Sequence, residues 1–162
     1  MARIERINTI NAPVEKVFTY LSDPMNELEW FPGMMEVKDV TGKGVGGHYR
    51  FVYKLIGLNR EGESTCTEYI PNERIVTQSK GGIVSTWTWT FKSQNGGTEL
   101  SVVVDFTIPI PVLGKVVEAV ALKWLEREAD MAKANIKARM EARGINTKMA
   151  RRAKKHFPRR NH

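Results

Sequence analysis

Cysteine is almost absent: Cys66 is the only one in 162 residues. One thiol closes no intramolecular disulfide, so stability must come from a packed core, and a reducing compartment, the cytoplasm, is the expected location. Histidine is nearly as scarce. Two of the three, His156 and His162, fall at the end of the chain, which leaves His48 beside the glycine pair Gly46 and Gly47. No His, Cys and carboxylate positions share metal-ligand spacing, so no metal is expected, and no cofactor motif takes its place. No serine or cysteine sits in a nucleophile motif. The stretch GKGVGG, Gly42 to Gly47, leads into a strand and not a helix, so it reads as a hairpin turn and not as a phosphate cradle. No apolar run approaches the roughly 18 to 20 residues that span a bilayer. The opening MARIERINTI alternates charged and apolar residues and lacks the apolar block of a signal peptide.

An excess of charge is also missing from the body of the chain. The net charge is +7, yet the segment from Lys148 onward carries seven Lys or Arg and no acid, leaving 18 residues of each sign before it. The basic pI therefore describes a tail and not a nucleic-acid-binding surface on the domain. Residues 1–144 are expected to form one domain and residues 145–162 a basic tail. In that tail Lys148, Arg151, Arg152, Lys154 and Lys155 surround Met149, Ala153 and Phe157, with Arg159 and Arg160 beyond. Asn146 would cap a short amphipathic helix there, able to meet an anionic membrane or nucleic acid; the alternative is a solvated terminus.

Aromatic residues, by contrast, are placed in rows. In STWTWTFK, residues Trp87, Trp89 and Phe91 occupy alternate positions, and a two-residue period sends all three rings to one face of a strand. Asn95 and Gly96 follow as a strong hairpin signal, and beyond them Leu100, Val102, Val104 and Phe106 share the matching face. Tyr49, Phe51, Tyr53 and Leu55 form a third alternating row against Arg50, Val52 and Lys54. From Met34 to Pro109 the pattern is strand after hairpin, an antiparallel meander with one face buried and one wet.

Two elements remain to cover the buried face. NAPVEKVFTYLSD starts a helix with Asn11 as its cap and Pro13 in its first turn, and PMNELEW, which ends in Trp30, adds a short helical turn. After Pro109 and Pro111 a helix from Val112 to Arg143 is expected, stopped by Gly144, with an apolar stripe through Leu113, Val117, Val120, Trp124, Leu125, Ala132, Ile136 and Met140. The fold class is thus α+β: about seven antiparallel strands curved around one long C-terminal helix, with two short helices after the first strand.

INAPVEKVFTYLSDPMNELEWFPGMMEV (Ile10 to Val37), with VGGHYRF, EYIPNERIV and NGGTELSV further on, resembles the START and Bet v 1-like (SRPBCC) superfamily. The closest likeness is to its polyketide cyclase/dehydrase branch, which also takes in a component of carbon monoxide dehydrogenase. The resemblance implies a helix-grip fold whose sheet and long helix enclose a cavity for a hydrophobic small molecule or lipid. Rings on the concave face then become its lining: Trp30, Tyr49, Phe51, Tyr53, Trp87, Trp89, Phe91, Val102, Val104 and Phe106 from the sheet side, and Val117, Val120 and Trp124 from the helix. The alternative for these rings is solid core, since burying one large aromatic stabilises by roughly 2 to 3 kcal/mol without any ligand. A ligand cavity of this kind is expected to measure on the order of 300 to 1,000 Å³.

Function divides along the same line. A carrier or sensor needs only the cavity. A polyketide cyclase or aromatase needs a buried polar cluster as well, and the candidates are Glu63 and Glu68, whose faces the sequence leaves open, the alternative being wet-side pairs with Arg50 or Arg74; Asp105 alternates with Val104 and Phe106 and should point outward. No catalytic residue is assigned.

Overall fold

The computed structural model describes the backbone of residues 2–107 and 114–156 and the side chains of residues 2–107 and 118–142. β1 (Ala2–Ile10) is followed by α1 (Val14–Ser22), a 3₁₀ turn (Pro24–Asn26) and α2 (Glu27–Trp30). Six strands come next: β2 (Met34–Thr41), β3 (His48–Leu55), β4 (Leu58–Ile70), β5 (Arg74–Gly81), β6 (Val84–Gln94) and β7 (Gly97–Thr107). The long helix α3 (Gly114–His156) closes the chain.

All seven strands form one antiparallel sheet in the order β1-β7-β6-β5-β4-β3-β2, so β1 crosses to pair with the last strand while the rest run as a meander. The β6–β7 hairpin turns on Asn95 and Gly96, whose φ values of 51° and 78° are the left-handed pair that a tight hairpin requires. That turn sets Trp87 against Val104, Trp89 against Val102 and Phe91 against Leu100.

Three local expectations need correction. Pro13, not Asn11, stands at the N-terminus of α1: its carbonyl accepts from the Lys16 and Val17 amides, while the Asn11 amide donates to Glu141 on α3. The long helix does not stop at Gly144 but runs unbroken to His156, 43 residues or about 65 Å. A single interior glycine costs a helix only about 1 kcal/mol relative to alanine, and no proline follows until Pro158. Asn146 is therefore inside a helix and caps none.

The third correction concerns two members of the α3 stripe. Ala132, Ile136 and Met140 are buried as expected, together with Ala121 and Glu128, whereas Val120 and Trp124 are 51% and 37% exposed. Val120 and Trp124 precede Ala121 and Leu125 by one residue, which sets them roughly 100° around the helix from the buried line, with the Trp124 indole still reaching Tyr53. The side chain of Val117 lies outside the described residues, as do those of Lys148, Arg151, Arg152, Lys154, Lys155, Arg159 and Arg160. Pro109 and Pro111 lie outside them too.

The core is divided. One cluster gathers Ile10, Val17, Phe18, Trp30, Phe91 and Leu100 under α1 and the C-terminal half of α3. A second holds Met34, Val37, Phe51, Tyr53 and Leu55 on β2 and β3, and a third holds Ile4, Val104 and Phe106. Phe31, Ile83, Trp87, Val102 and Leu125 each border two of them. A domain of this size ordinarily builds one contiguous core. The three clusters stay apart because they surround a space.

Candidate functional site: an aromatic cavity with two buried acids

The space is a cavity of about 150 Å³ between the concave face of the sheet, α2 and α3. It is smaller than the size expected from the sequence. Large rings fill part of the volume that the backbone encloses. Trp87 and Trp89 stack with centroids 5.9 Å apart, Trp30 meets Trp89 edge-on at 5.6 Å, and Phe31 lies flat on Tyr53 at 5.1 Å.

Of the sheet-side residues proposed from sequence, Trp30, Tyr49, Phe51, Tyr53, Trp87, Trp89, Val102, Val104 and Phe106 line the cavity. Phe91 does not. It packs edge-on against Phe18 at 4.9 Å and so plugs the α1 end of the same row. Val120 and Trp124 are likewise not part of the lining, although the Trp124 indole still reaches Tyr53 of β3; Leu125, Ala129, Ala132 and Ile136 line the cavity from α3 instead.

The charged strand residues singled out from sequence all face outward, whereas Arg6 of β1 borders the cavity and pairs with Asp130 of α3 at 2.7 Å. Arg3 pairs with Asp105 at 2.7 Å, Arg74 with Glu68 at 3.0 Å and Arg50 with Asp39 at 3.9 Å. Glu63 lies between Lys80 at 3.1 Å and His48 at 3.0 Å, and these partners hold its carboxyl below the usual range. Among the described residues no group of three or more His, Cys, Asp or Glu is arranged to hold a metal.

The lining is nevertheless not purely apolar. Two carboxylic acids reach it from the helices, not from the strands that carried the sequence candidates. Glu27, the first residue of α2, accepts a 2.5 Å hydrogen bond from the Tyr49 hydroxyl of β3. Burial raises the Glu27 carboxyl to about 7 despite that bond, and burial beside Glu27 raises the Tyr49 phenol well above its ordinary value. Below neutrality Glu27 is thus a neutral acid. One oxygen accepts from Tyr49, and the acid proton is left to donate to a ligand oxygen.

Glu128, on the inward line of α3, is only 8% exposed. It accepts from the Gly33 amide at 2.9 Å and from the Tyr53 hydroxyl at 3.4 Å. Its carboxyl is also raised by burial, with those two donors opposing the shift. A third polar group sits on β5 and β6, where the Ser79 and Ser85 hydroxyls are 2.5 Å apart and the Trp87 indole donates to Ser85 at 3.1 Å. Among the described residues, the buried Trp30 indole N–H has no hydrogen-bond partner.

Glu128→Ala would leave the Gly33 amide and the Tyr53 hydroxyl without their acceptor, and is expected to cost roughly 1 to 3 kcal/mol in urea unfolding. Glu128→Gln keeps an acceptor oxygen and should cost clearly less. Equal losses would contradict this account of the pair.

A curved antiparallel sheet gripping one long helix over an internal cavity is the helix-grip architecture of the Bet v 1-like fold. Within that class, the chain belongs to the family described as polyketide cyclase/dehydrase and lipid transport, which matches residues 1–141. Similar solved structures include TTHA0849 from Thermus thermophilus, with 18% identity, TM-score 0.75, and 87% of this chain and 98% of that one covered. The Zhui aromatase/cyclase from a Streptomyces species also has 18% identity and TM-score 0.75, with 88% and 94% covered. Ara h 8.0201 has 13% identity, TM-score 0.64, and 87% and 98% covered. These likenesses define the fold. No curated protein matches the chain in sequence. Among the described residues no helix is long and apolar enough to cross a membrane.

Proposed function

We propose that the protein is a carrier or sensor for a compact hydrophobic molecule, about the size of one substituted ring, that carries a hydroxyl or carbonyl oxygen. The observation that supports this most is the cavity of about 150 Å³, walled by stacked tryptophans and edged by a carboxyl whose pKa is raised to about 7. A dry apolar cavity of about that volume holds benzene in another protein, and a small ring bearing one oxygen would add a hydrogen bond to Glu27. Affinities of roughly 1 mM to 1 μM, about −4 to −8 kcal/mol, are expected for so small a ligand. The free thiol of Cys66 suits a reducing compartment such as the cytoplasm.

Native mass spectrometry of freshly purified protein and calorimetric titration with phenol and cyclohexanol test this reading. A co-purified mass of ring size, or saturable binding of either compound, is expected. Failure of both would remove the reading.

One observation favours a second reading, an enzyme of the cyclase or dehydratase type. The acid–phenol pairs Glu27–Tyr49 and Glu128–Tyr53 both face the cavity and could pass a proton to and from a bound ketone. Size speaks against it: a poly-ketone chain does not fit the inner cavity alone.

A further inference from the structure

A second hollow adjoins the first. It is an open cleft of about 810 Å³ between the C-terminal half of α1 with the 3₁₀ turn on one side and the β2–β3 loop on the other. Leu21, Glu27, Tyr49, Ile75 and Thr77 line both hollows, so the two meet at these side chains. The Glu27–Tyr49 hydrogen bond stands at that junction, joining α2 to β3.

Each wall of the cleft is anchored to something other than its opposite wall. α1 buries Val14, Val17 and Phe18 away from the cleft in the main core cluster. Its end is fastened by Asn26, whose amide donates to the Tyr20 carbonyl, and by Asp23, whose carboxylate accepts from the Met25 amide. The β2–β3 loop is tied to β4 instead: the Gly46 amide donates to the Cys66 carbonyl, and the Cys66 amide to the Gly47 carbonyl.

The two hollows also differ in chemistry. The inner one is walled mainly by indoles, phenyl rings and aliphatic chains, with Glu27, Glu128 and the Ser79–Ser85 pair as polar points and Arg6 and Lys133 at its edge. Thr19, Ser22, Thr41 and Lys43 give the outer one a polar rim.

We propose that the two hollows are one bipartite site for an elongated amphiphile: its ring in the inner cavity, an oxygen at Glu27 and Tyr49, and a polar, uncharged chain in the outer cleft. This inference rests on the cavity reading above and extends it to the shape and polarity of the ligand. Both signs of charge line the cleft, Lys16 and Lys43 alongside Glu15, Asp23 and Glu27, so it offers no strong attraction to a charged tail of either sign. An oligo-ether or hydroxylated chain meets hydroxyl groups there without losing an ionic hydration shell.

The test compares phenol with a phenol bearing a tri(ethylene glycol) chain at the para position, titrated calorimetrically into the whole chain. In the wild type the chain should tighten binding by about tenfold. Thr19→Trp and Val40→Trp fill the cleft from opposite walls, at exposed positions outside the inner lining. Either should abolish that gain while changing phenol affinity by less than about twofold. A chain that adds nothing in the wild type, or a gain that survives both variants, overturns the bipartite site and leaves the cavity reading standing. If phenol itself does not bind, the cavity reading has failed and this inference falls with it.

Discussion

Glu27→Gln is expected to raise the melting temperature at pH 8 by about 10 °C and to leave it nearly unchanged at pH 4.5. The sign follows from the raised carboxyl. An unfolded glutamate ionises near 4.5, whereas the folded one holds its proton to about 7. Below 4.5 both states carry the proton and nothing is lost. As pH rises from 4.5 to 7 the unfolded chain ionises while the folded one does not, so stability falls. Above 7 the whole difference, on the order of 3 kcal/mol, acts against folding. Glutamine cannot ionise and keeps an oxygen to accept from Tyr49, so it removes that loss where the loss exists. Glu128 is also raised, and Glu63 and Glu141 are lowered, but all three are common to both proteins and cancel in the difference. Thermal melts of the two proteins across this range give the answer; parallel pH profiles would show that the Glu27 carboxyl is an ordinary exposed one.

Gly33→Ala should destabilise by on the order of 3 kcal/mol. A Cβ at this position would lie 2.1 Å from one Tyr53 ring carbon and 2.7 and 2.9 Å from two others. The ring cannot swing aside like the tip of a flexible chain. It is 2% exposed, stacked on Phe31, and its hydroxyl meets Glu128. Moving it therefore costs packing and a hydrogen bond at once. Because the obstacle is the ring, Tyr53→Leu should shrink the cost of Gly33→Ala to below about 1 kcal/mol, a coupling that a double-mutant cycle in urea measures. The same cost in both backgrounds would place the glycine's role in its backbone and not in its contact with the tyrosine.

The meander was legible in the sequence because its signals are local. Asn95 and Gly96 define one hairpin, and strict alternation in β3, β6 and β7 places Tyr49, Trp87 and Val104 on a common face. Part of the inward face of α3 was misread because two apolar rows, Val120 with Trp124 and Ala121 with Leu125, run side by side, and periodicity favours the bulkier one. Tertiary contact chose the smaller row, since alanines let the helix approach the sheet over rings that already occupy the volume. The acids were missed for a different reason. Glu128 falls at the spacing of Leu125, Ala132 and Ile136, a charged residue on an otherwise inward line, and that anomaly was readable once the right line was chosen. Glu27 offers no such signal. Its partner Tyr49 lies 22 positions away on another element, and only the folded chain brings the two together.

The most direct test of the central claim is a heteronuclear NMR titration with phenol of the wild type and of Ala132→Phe, whose ring would occupy the cavity from the α3 side. Saturable amide shifts clustered around Phe51, Trp89 and Ala132 in the wild type, lost in a variant that remains folded, are the predicted result. Absence of saturable shifts in the wild type, or equal binding by Ala132→Phe, would contradict the claim that this hollow is where the protein meets its ligand.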